Sequence, residues 1–323
     1  MRDIDQILRN LLPVLERLEE DRQVYRKRQQ TQLLILFLPL IVILALGFAS
    51  EVPVIGFIAS GFWLLINLIL YHFRVGKLGA AYTARYKSTV VPALARAIDP
   101  QLEYNAHQGI PESTFVGTEL FNTTPDRFQT EDLIQGTYGK TFLQLAEIDA
   151  EERRTRRDSD GKRETYYVTI FDGLLLIADF HKHFHGRTFI FPDNAEKLFG
   201  NFGRFFQKMG GRSNTNLIRL EDPEFENAFA VYATDEIEAR YILSTAMMRR
   251  ILEMRKRFGA DIRIGFKASS LVLAVPHSHP YLEPDKSIPA TDLRQVKGML
   301  FELKYFLDTI EELDLNTRIW TKE

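Results

Sequence analysis

Residues 33 to 50 read LLILFLPLIVILALGFAS and residues 52 to 71 read VPVIGFIASGFWLLINLILY, two apolar runs separated by the single charged residue Glu51. At a helical rise of about 1.5 Å per residue, such runs reach about 27 and 30 Å, enough to cross the hydrocarbon core of a bilayer. We therefore predict a transmembrane helical hairpin over residues 32–72. A cleaved signal peptide is not expected, because about thirty residues of charged, helix-periodic sequence precede the first run.

Basic residues flank the hairpin at the outer end of each run, whereas the link between the runs carries none. They are Arg26, Lys27, Arg28, Arg74, Lys77, Arg85 and Lys87. Since lysine and arginine are enriched on the cytoplasmic side of membrane proteins, both termini are predicted to be cytoplasmic. The cysteine count of zero agrees with a reducing compartment.

Few polar side chains lie inside the two runs. Asn67 is well inside the second run, and Gly56, Ser60 and Gly61 form a set of small residues there. Small residues let helix backbones approach closely, and a lone amide can hydrogen-bond to the neighbouring helix. The pattern predicts a closely packed hairpin with Asn67 bonding across it or reaching its cytoplasmic end. A pore or proton path is disfavoured, because the spans lack acids, bases and paired charges.

Amphipathic sequence precedes and follows the hairpin. Residues 1–31 carry leucine and isoleucine at steps of three and four, and residues 73–99 continue such a stripe: Leu78, Tyr82, Tyr86, Val90 and Leu94. Antiparallel spans would bring these flanks side by side as a helical stalk, interrupted or kinked at Pro13. The alternative is that residues 1–25 lie flat at the membrane interface, although seven basic and six acidic residues before the first span give no strongly cationic face.

The second half of the chain mixes strand-like and helix-like runs. Residues 100–194 predict an antiparallel β-rich lobe with strands at 140–148, 164–171 and 187–191, and Asp172-Gly173 is a two-residue hairpin signal. Residues 195–216 form a Gly- and Phe-rich bridge, and residues 217–323 a lobe with both strands and helices. Because strands and helices do not alternate regularly, the fold class is predicted as α+β.

Helix ends are marked clearly in this last lobe. Asp222 with Pro223 predicts a helix start, Asp235 with Glu238 resembles a capping box, and Gly259 predicts a helix end. A final amphipathic helix carries an apolar face that we regard as a candidate surface for a partner helix: Leu293, Val296, Leu300, Leu303, Leu307 and Ile310.

The stretch ADFHKHFHGRTF, residues 178–189, has histidine at every second position: His181, His183 and His185. Side chains at i and i+2 of a strand lie about 6.6 Å apart, so a pair can chelate one ion, whereas the outer two would be about 13 Å apart and cannot converge simply. We therefore predict a hairpin corner with solvent-facing imidazoles. The alternative is a metal site of His181 and His183 with a further ligand: Asp179, His277 or His279.

An acid-rich run lies between residues 221 and 238: Glu221, Asp222, Glu224, Glu226, Asp235, Glu236 and Glu238. Paired carboxylates can serve acid–base catalysis, but acids are also favoured in the first turn of a helix. We expect these residues to act as caps and ion-pair partners, with Arg240 as one of the partners.

The stretch EERRTRRDSDGKRE, residues 151–164, holds six basic and five acidic residues. It predicts a solvated hairpin tip, with contact to anionic lipid headgroups as the alternative through Arg153, Arg154, Arg156 and Arg157. Nucleic-acid binding is not expected, because no sustained basic surface accompanies the tip.

Four longer stretches resemble a known family: FNTTPDRFQTEDLIQGTYGKT, FDGLLLIADFHKHFHGRTFIFPD, LEDPEFENAFAVYATDEIEARYILS and LDLNTRIW. They are similar to the bacterial membrane-protein family catalogued as domain of unknown function 3137. Phe180, Lys182 and Gly186 match the family pattern, whereas the histidines do not. The resemblance implies an inner-membrane protein with a cytoplasmic domain, often encoded beside LemA-family membrane proteins, with no assigned catalytic residues.

The predicted function is that of a membrane-anchored cytoplasmic binding or scaffolding protein of the bacterial inner membrane, with no cofactor. Its expected partners are the bilayer and either a LemA-family membrane protein or a second copy of the chain. One alternative is a metal- or carboxylate-dependent hydrolase using His181, His183 and the acidic run. The other is an anionic-lipid-binding module using the arginine-rich tip.

Overall fold

The structure of the protein, a computed structural model, describes residues 4–49, 53–157, 161–179, 185–193, 215–259, 261–277 and 280–318. The chain divides into two compact units, Met1–Ala97 with Leu282–Met299, and Ile98–Tyr281 with Leu300–Glu323. Two long apolar helices lie in the first unit, and an antiparallel sheet of nine described strands lies in the second. The α+β class predicted from the sequence is therefore confirmed.

The first unit begins with α1 (Ile4–Ala49) and α2 (Pro53–Tyr71), which a π-helical turn (His72–Gly76) joins to α3 (Lys77–Ile98). Both long helices are apolar enough to cross a membrane. Of the interruption or kink predicted at Pro13, the interruption does not occur, since α1 continues through it. Pro13 is exposed, and buried leucines on both sides of it keep the helix in place: Leu8, Leu11, Leu15 and Leu18.

Close backbone packing holds α1 against α2. A Cβ atom added to Gly47 would lie 2.7 Å from the Cα of Gly56, so the glycines allow this approach. Nearer the cytoplasmic end expected from the sequence, the Gln32 amide donates to Asn67 Oδ1 at 3.3 Å, which confirms the predicted bond across the hairpin. Gly61 takes no part in this packing, because a Cβ there would meet nothing within 4 Å.

The stalk forms where α1 and α3 bury their apolar stripes. Tyr82, Tyr86, Val90 and Leu94 of α3 are fully or almost fully buried, as are the α1 leucines. Asp21 and Arg85 join the two helices through an ion pair of 2.6 Å. The predicted helical stalk is thus present in the structure.

Residues 282–299 pack onto the stalk, although they lie far from it in sequence. The Glu19 carboxylate accepts from the Ala290 backbone N–H at 2.7 Å, and the Arg22 guanidinium donates to the Lys286 carbonyl at 3.1 Å. We call residues 282–299 the clasp. Because the clasp interrupts the sheet unit in sequence, the helical unit is built from two separate segments of the chain.

The sheet has the order β1-β2-β3-β4-β9-β8-β5-β7-β6, and all of its described neighbours are antiparallel. Its strands are β1 (Leu102–Asn105), β2 (Arg127–Tyr138), β3 (Thr141–Arg157), β4 (Arg163–Asp179), β5 (Arg187–Pro192), β6 (Asn216–Ile218), β7 (Phe229–Ala233), β8 (Arg263–Lys267) and β9 (Ser270–Pro276). The accompanying helices are α4 (Glu112–Gly117), α5 (Pro223–Ala228), α6 (Glu236–Ile242), α7 (Thr245–Phe258) and α8 (Leu293–Arg318).

The two lobes expected from the sequence contribute strands to this one sheet. Strand β9 pairs with β4, and β8 pairs with β5, so strands more than seventy positions apart lie side by side. Strands β9 and β8 therefore separate β4 from β5. The predicted hairpin corner at residues 178–189 is wrong for this reason, because β4 and β5 are not neighbours in the sheet.

Gly173 lies inside β4, so the predicted turn at Asp172-Gly173 is also wrong. Its φ is +153°, and an added Cβ would lie 2.2 Å from the Val275 carbonyl oxygen of β9. A glycine within a strand can mark a close backbone approach as readily as a turn. Here the approaching backbone is that of β9.

Candidate functional site

A cavity of about 380 Å³ opens over strands β2, β3 and β4 of the sheet unit. Three residues that follow β9 form part of its wall: His277, Pro280 and Tyr281. The lining residues are Gln129, Thr130, Glu131, Glu147, Ile148, Asp149, Asp172, Gly173, Leu174, His277, Pro280 and Tyr281. We call this feature the acidic cavity, because four of these side chains are carboxylates.

The strand register places the four carboxylates in two directly opposed pairs. Glu131 of β2 is opposite Glu147 of β3, and Asp149 of β3 is opposite Asp172 of β4. Glu147 and Asp149 are two positions apart on one strand and so face the same way. Like charges directly opposed across strands destabilise a sheet, so this surface attracts positive charge.

The environment of the cavity raises the pKa of Asp149. Burial is the main cause, and the negative charges of Asp172 and Glu151 add to it. Burial also raises the pKa of Tyr281, with the nearby Glu302 as the next cause, so the phenol stays protonated at neutral pH. A cation in the cavity would lower the pKa of Asp149 again, because it favours the charged carboxylate.

Backbone and phenol groups already hold two acidic residues near Glu131, and one of these, Glu147, lines the cavity. Glu147 accepts from the Tyr281 backbone N–H at 2.5 Å, and the buried Asp132 accepts from the Tyr104 hydroxyl at 2.5 Å. With Glu131, these carboxylates offer oxygen atoms that all lie within 4.8 Å of one another. Oxygen ligands of this kind suit Mg²⁺ or Ca²⁺, so these are the described residues that could hold a metal ion.

Sequence reasoning did not find these acidic residues. Glu131 and Glu147 lie in strands without any metal motif, and they meet only because β2 and β3 pair in this register. The alternation of polar and apolar residues in both strands predicts the face of the sheet on which a side chain lies. It does not predict which residue of the neighbouring strand lies opposite.

The histidine stretch gives a different picture. His181 and His183 lie outside the described residues, as does His279. The His185 side chain is 93% exposed, with Nδ1 at 4.0 Å from Glu238 Oε1, whereas His277 lines the acidic cavity. The metal site proposed from the sequence is therefore neither assembled nor excluded by the described residues.

Glu238 has a structural role at this point. Its two carboxylate oxygens accept from the backbone N–H groups of His185 and Gly186 at 2.9 and 2.7 Å. An added Cβ at Gly186 would lie 2.9 Å from the same carboxylate, which accounts for the glycine. Asp235 caps α6 by accepting from the Glu238 N–H, so half of the predicted capping box is confirmed.

Most of the acid-rich run is likewise engaged in the fold. Asp222 caps α5, Glu226 accepts from the Leu220 N–H, and Glu224 pairs with Lys256 at 2.9 Å. Glu236 forms an ion pair with Arg240 at 2.9 Å, which confirms the predicted role of that arginine. These described contacts serve capping and ion pairing.

The candidate partner-helix face of α8 is covered by the chain itself. Leu293 is half-buried, and Val296, Leu300, Leu303 and Leu307 are buried, while the Ile310 side chain lies outside the described residues. In the sheet unit, Phe306 of α8 packs against Phe258 with ring centroids 4.3 Å apart. This face is therefore occupied within the fold and is not an open surface, a property that helical periodicity alone does not show.

The arginine-rich tip lies at the end of a two-stranded ribbon. Pairing of β2 with β3 ends at Glu151 and pairing of β9 with β4 begins at Gly173, so the described residues 152–157 and 163–168 pair only with each other. One face of the ribbon carries Glu152, Arg154, Arg156, Glu164, Tyr166 and Val168. The other, which we call the cationic face, carries Arg153, Thr155, Arg157, Arg163, Thr165 and Tyr167.

The ribbon therefore divides the four arginines named from the sequence into two pairs. Arg154 and Arg156 form ion pairs with Glu152 at 3.1 Å and Glu164 at 2.7 Å. Arg153 and Arg157 lie on the cationic face, where no ion pair with another described residue engages them. Two of the four are thus already paired with a glutamate among the described residues.

Comparison with known families gives one match. The model of the family described as Protein of unknown function (DUF3137) matches residues 169–315, which confirms the resemblance over that region. A search of curated proteins found no match. Among solved structures, the chain is similar to the crystal structure of the mycobacterial trehalose monomycolate transport factor A, TtfA, with 11% identity, a TM-score of 0.35, and coverage of 69% of this chain and 94% of that chain.

Proposed function

We propose that this protein is a membrane-anchored binding protein of the bacterial inner membrane, with its sheet unit in the cytoplasm. Two helices long and apolar enough to span a bilayer support the anchoring. The basic residues at the outer ends of the hairpin support the orientation, and the family resemblance supports the inner membrane. The anchor helices and the clasp both belong to the helical unit.

The acidic cavity is the observation that carries the binding role. Ligand sites are concave, and they combine apolar walls with a few convergent polar groups and residues of perturbed pKa. The cavity has these features, and its two opposed carboxylate pairs favour a cationic group. We propose that this group is a basic segment of another envelope protein. A LemA-family membrane protein is the partner that the family resemblance implies.

A photo-crosslinking amino acid in place of Gln129, which lines the cavity, tests this proposal in native membranes. We expect a discrete adduct with a second protein, identified by mass spectrometry. Asp149→Asn with Asp172→Asn should lower the adduct yield about fivefold, as two lost ion pairs at about 0.5 kcal/mol each imply. The matched control is Glu112→Gln with Glu253→Gln, which removes the same charge from exposed positions outside the cavity.

Two results would contradict the binding role of the cavity. One is recovery of only the uncrosslinked chain from membranes in which the photo-reactive residue is incorporated at Gln129. The other is an adduct whose yield is the same in the Asp149/Asp172 variant and in the Glu112/Glu253 control. An adduct between two copies of this chain would show that the cavity binds a second copy of the chain and not another envelope protein.

A further inference from the structure

The cationic face of the ribbon has the chemistry of an anion-binding surface. Arg157 and Arg163 are directly opposite each other, which destabilises a strand pair unless negative charge compensates it. The hydroxyl groups of Thr155 and Thr165 lie opposite each other on the next rung of the same face. Guanidinium groups bind phosphate through two parallel hydrogen bonds, and hydroxyls add further donors.

The aromatic end of the same face adds a further arginine. The Arg127 guanidinium lies 3.4 Å from the centroid of the Tyr167 ring, which is opposite Arg153 in the ribbon. Arg127 also approaches Glu151 at 3.4 Å, so this end of the face is partly neutralised. Arg153 lies at this same end, and towards the tip Arg157 and Arg163 form no ion pair with another described residue.

We propose that the cationic face binds the phosphate headgroups of anionic lipids in the membrane that anchors the chain. This inference rests on the proposed membrane anchoring, but it does not depend on the acidic cavity. Anchoring keeps the ribbon at a high local concentration of headgroups, and anionic leaflets attract basic segments near their surface. The amphipathic ring of Tyr167 suits the interface between headgroups and water.

The test uses the full chain in lipid nanodiscs, with Thr169→Cys as a single labelling site for an environment-sensitive fluorophore. Thr169 is exposed at the base of the ribbon and is not one of the residues of the cationic face. The natural sequence contains no cysteine, so the label reports the ribbon alone. Nanodiscs of phosphatidylcholine are compared with nanodiscs that also contain phosphatidylglycerol, at low and high salt. We expect an emission shift in the anionic nanodiscs that high salt reverses.

Two double variants are compared. One tests the expected loss of lipid binding, and the other is its matched control. Arg153→Gln with Arg157→Gln should lower the ratio of bound to free ribbon about 25-fold, at about fivefold for each arginine near an anionic surface. Arg154→Gln with Arg156→Gln removes the same charge from the opposite face, where Glu152 and Glu164 already neutralise it. This control should change the ratio by less than about twofold.

The inference is overturned by any of three results: no shift in anionic nanodiscs, an equal loss in both double variants, or an equal shift in neutral and anionic nanodiscs. A shift in neutral nanodiscs that grows with protein concentration would show contact between copies instead. If inorganic phosphate produces the shift in neutral nanodiscs, the site binds free anions. Co-elution of the chain with the nanodisc reports anchoring separately, so its loss would contradict the proposed function itself.

Discussion

Gly47→Leu is expected to force the two membrane helices apart. An added Cβ at Gly47 already lies 2.7 Å from the Cα of Gly56, and an added Cβ at Gly56 lies 2.6 Å from the Cα of Gly47. The atoms in the way belong to backbone, so they cannot rotate aside as the end of a side chain would. Overpacking of this kind costs about 3 kcal/mol, and the helices can avoid the clash only by separating.

A disulfide between cysteines at Phe48 and Phe57 measures this separation. The two rings lie next to the glycines with centroids 5.4 Å apart, and the chain has no other cysteine. Because a disulfide forms only over a narrow range of distances, we expect oxidation in membranes to slow about tenfold or more in Gly47→Leu. The control is Gly61→Leu, where an added Cβ meets nothing within 4 Å. Equal oxidation rates in both variants would contradict the close approach of the helices.

Glu19→Gln is expected to release the clasp from the stalk. The Glu19 carboxylate accepts from Arg22 at 2.8 Å, from Gln23 at 3.0 Å and from the Ala290 N–H at 2.7 Å. The Glu19 and Arg22 side chains are only 14% and 10% exposed. Removing one partner of such a pair leaves a charge without compensation in a poorly solvated place, which lowers the free energy of unfolding by about 3 kcal/mol.

Hydrogen exchange of residues 282–299 is the measurement that detects this release. We expect faster exchange in Glu19→Gln, together with an unfolding transition at lower denaturant concentration in detergent. Glu20→Gln removes the same charge from the exposed neighbouring residue and should change the free energy of unfolding by less than about 0.5 kcal/mol. Unchanged exchange of the clasp in Glu19→Gln would show that Glu19 does not hold it.

The pH dependence of the clasp follows from the same carboxylate. The hydrogen bond from Arg22 is the main cause that lowers the pKa of Glu19 from 4.5 to about 2. A carboxyl group with a lowered pKa stabilises the fold above its unfolded pKa, and this contribution is lost as the pH falls through the folded value. We therefore expect the clasp to lose protection between pH 4.5 and about 2 in the natural chain, and this acid-dependent loss to be absent in Glu19→Gln.

The helical unit could be predicted largely from the sequence because its determinants are local. The apolar runs, the stripes of the stalk and the position of Asn67 all follow from the spacing of side chains along one helix. The clasp could not be predicted in this way. Glu19 and Ala290 are 271 positions apart in the sequence. Neither residue lies in a sequence pattern that predicts contact with the other.

The sheet unit shows the limit of local patterns more clearly. Strands could be recognised from alternation, but the pairing of β4 with β9 depends on contacts between residues about one hundred positions apart. For this reason the sequence at Gly173 predicts a turn, although β9 approaches this glycine in the middle of a strand. The acidic cavity has the same origin, since Asp149 and Asp172 become neighbours only through the register of β3 and β4.

The position of the arginine-rich tip could be predicted from the sequence, but the division of its arginines between the two faces of the ribbon could not. Its composition predicted a charged hairpin end, which β3 and β4 provide. The sequence could not separate Arg153 and Arg157 from Arg154 and Arg156, because strand register decides which arginines meet a glutamate. The proposed lipid contact therefore uses only Arg153 and Arg157 of the four arginines that composition alone indicates.

Labelling of a single cysteine at Ile237 tests the membrane-anchored, cytoplasmic placement of the sheet unit most directly. Ile237 is 83% exposed in that unit, and the absence of natural cysteines removes background. We predict that a membrane-impermeant maleimide labels Ile237→Cys only after the cells are permeabilised, whereas Glu51→Cys in the link between the spans is labelled in intact cells. Labelling of Ile237→Cys in intact cells, with Glu51→Cys protected, would contradict this account.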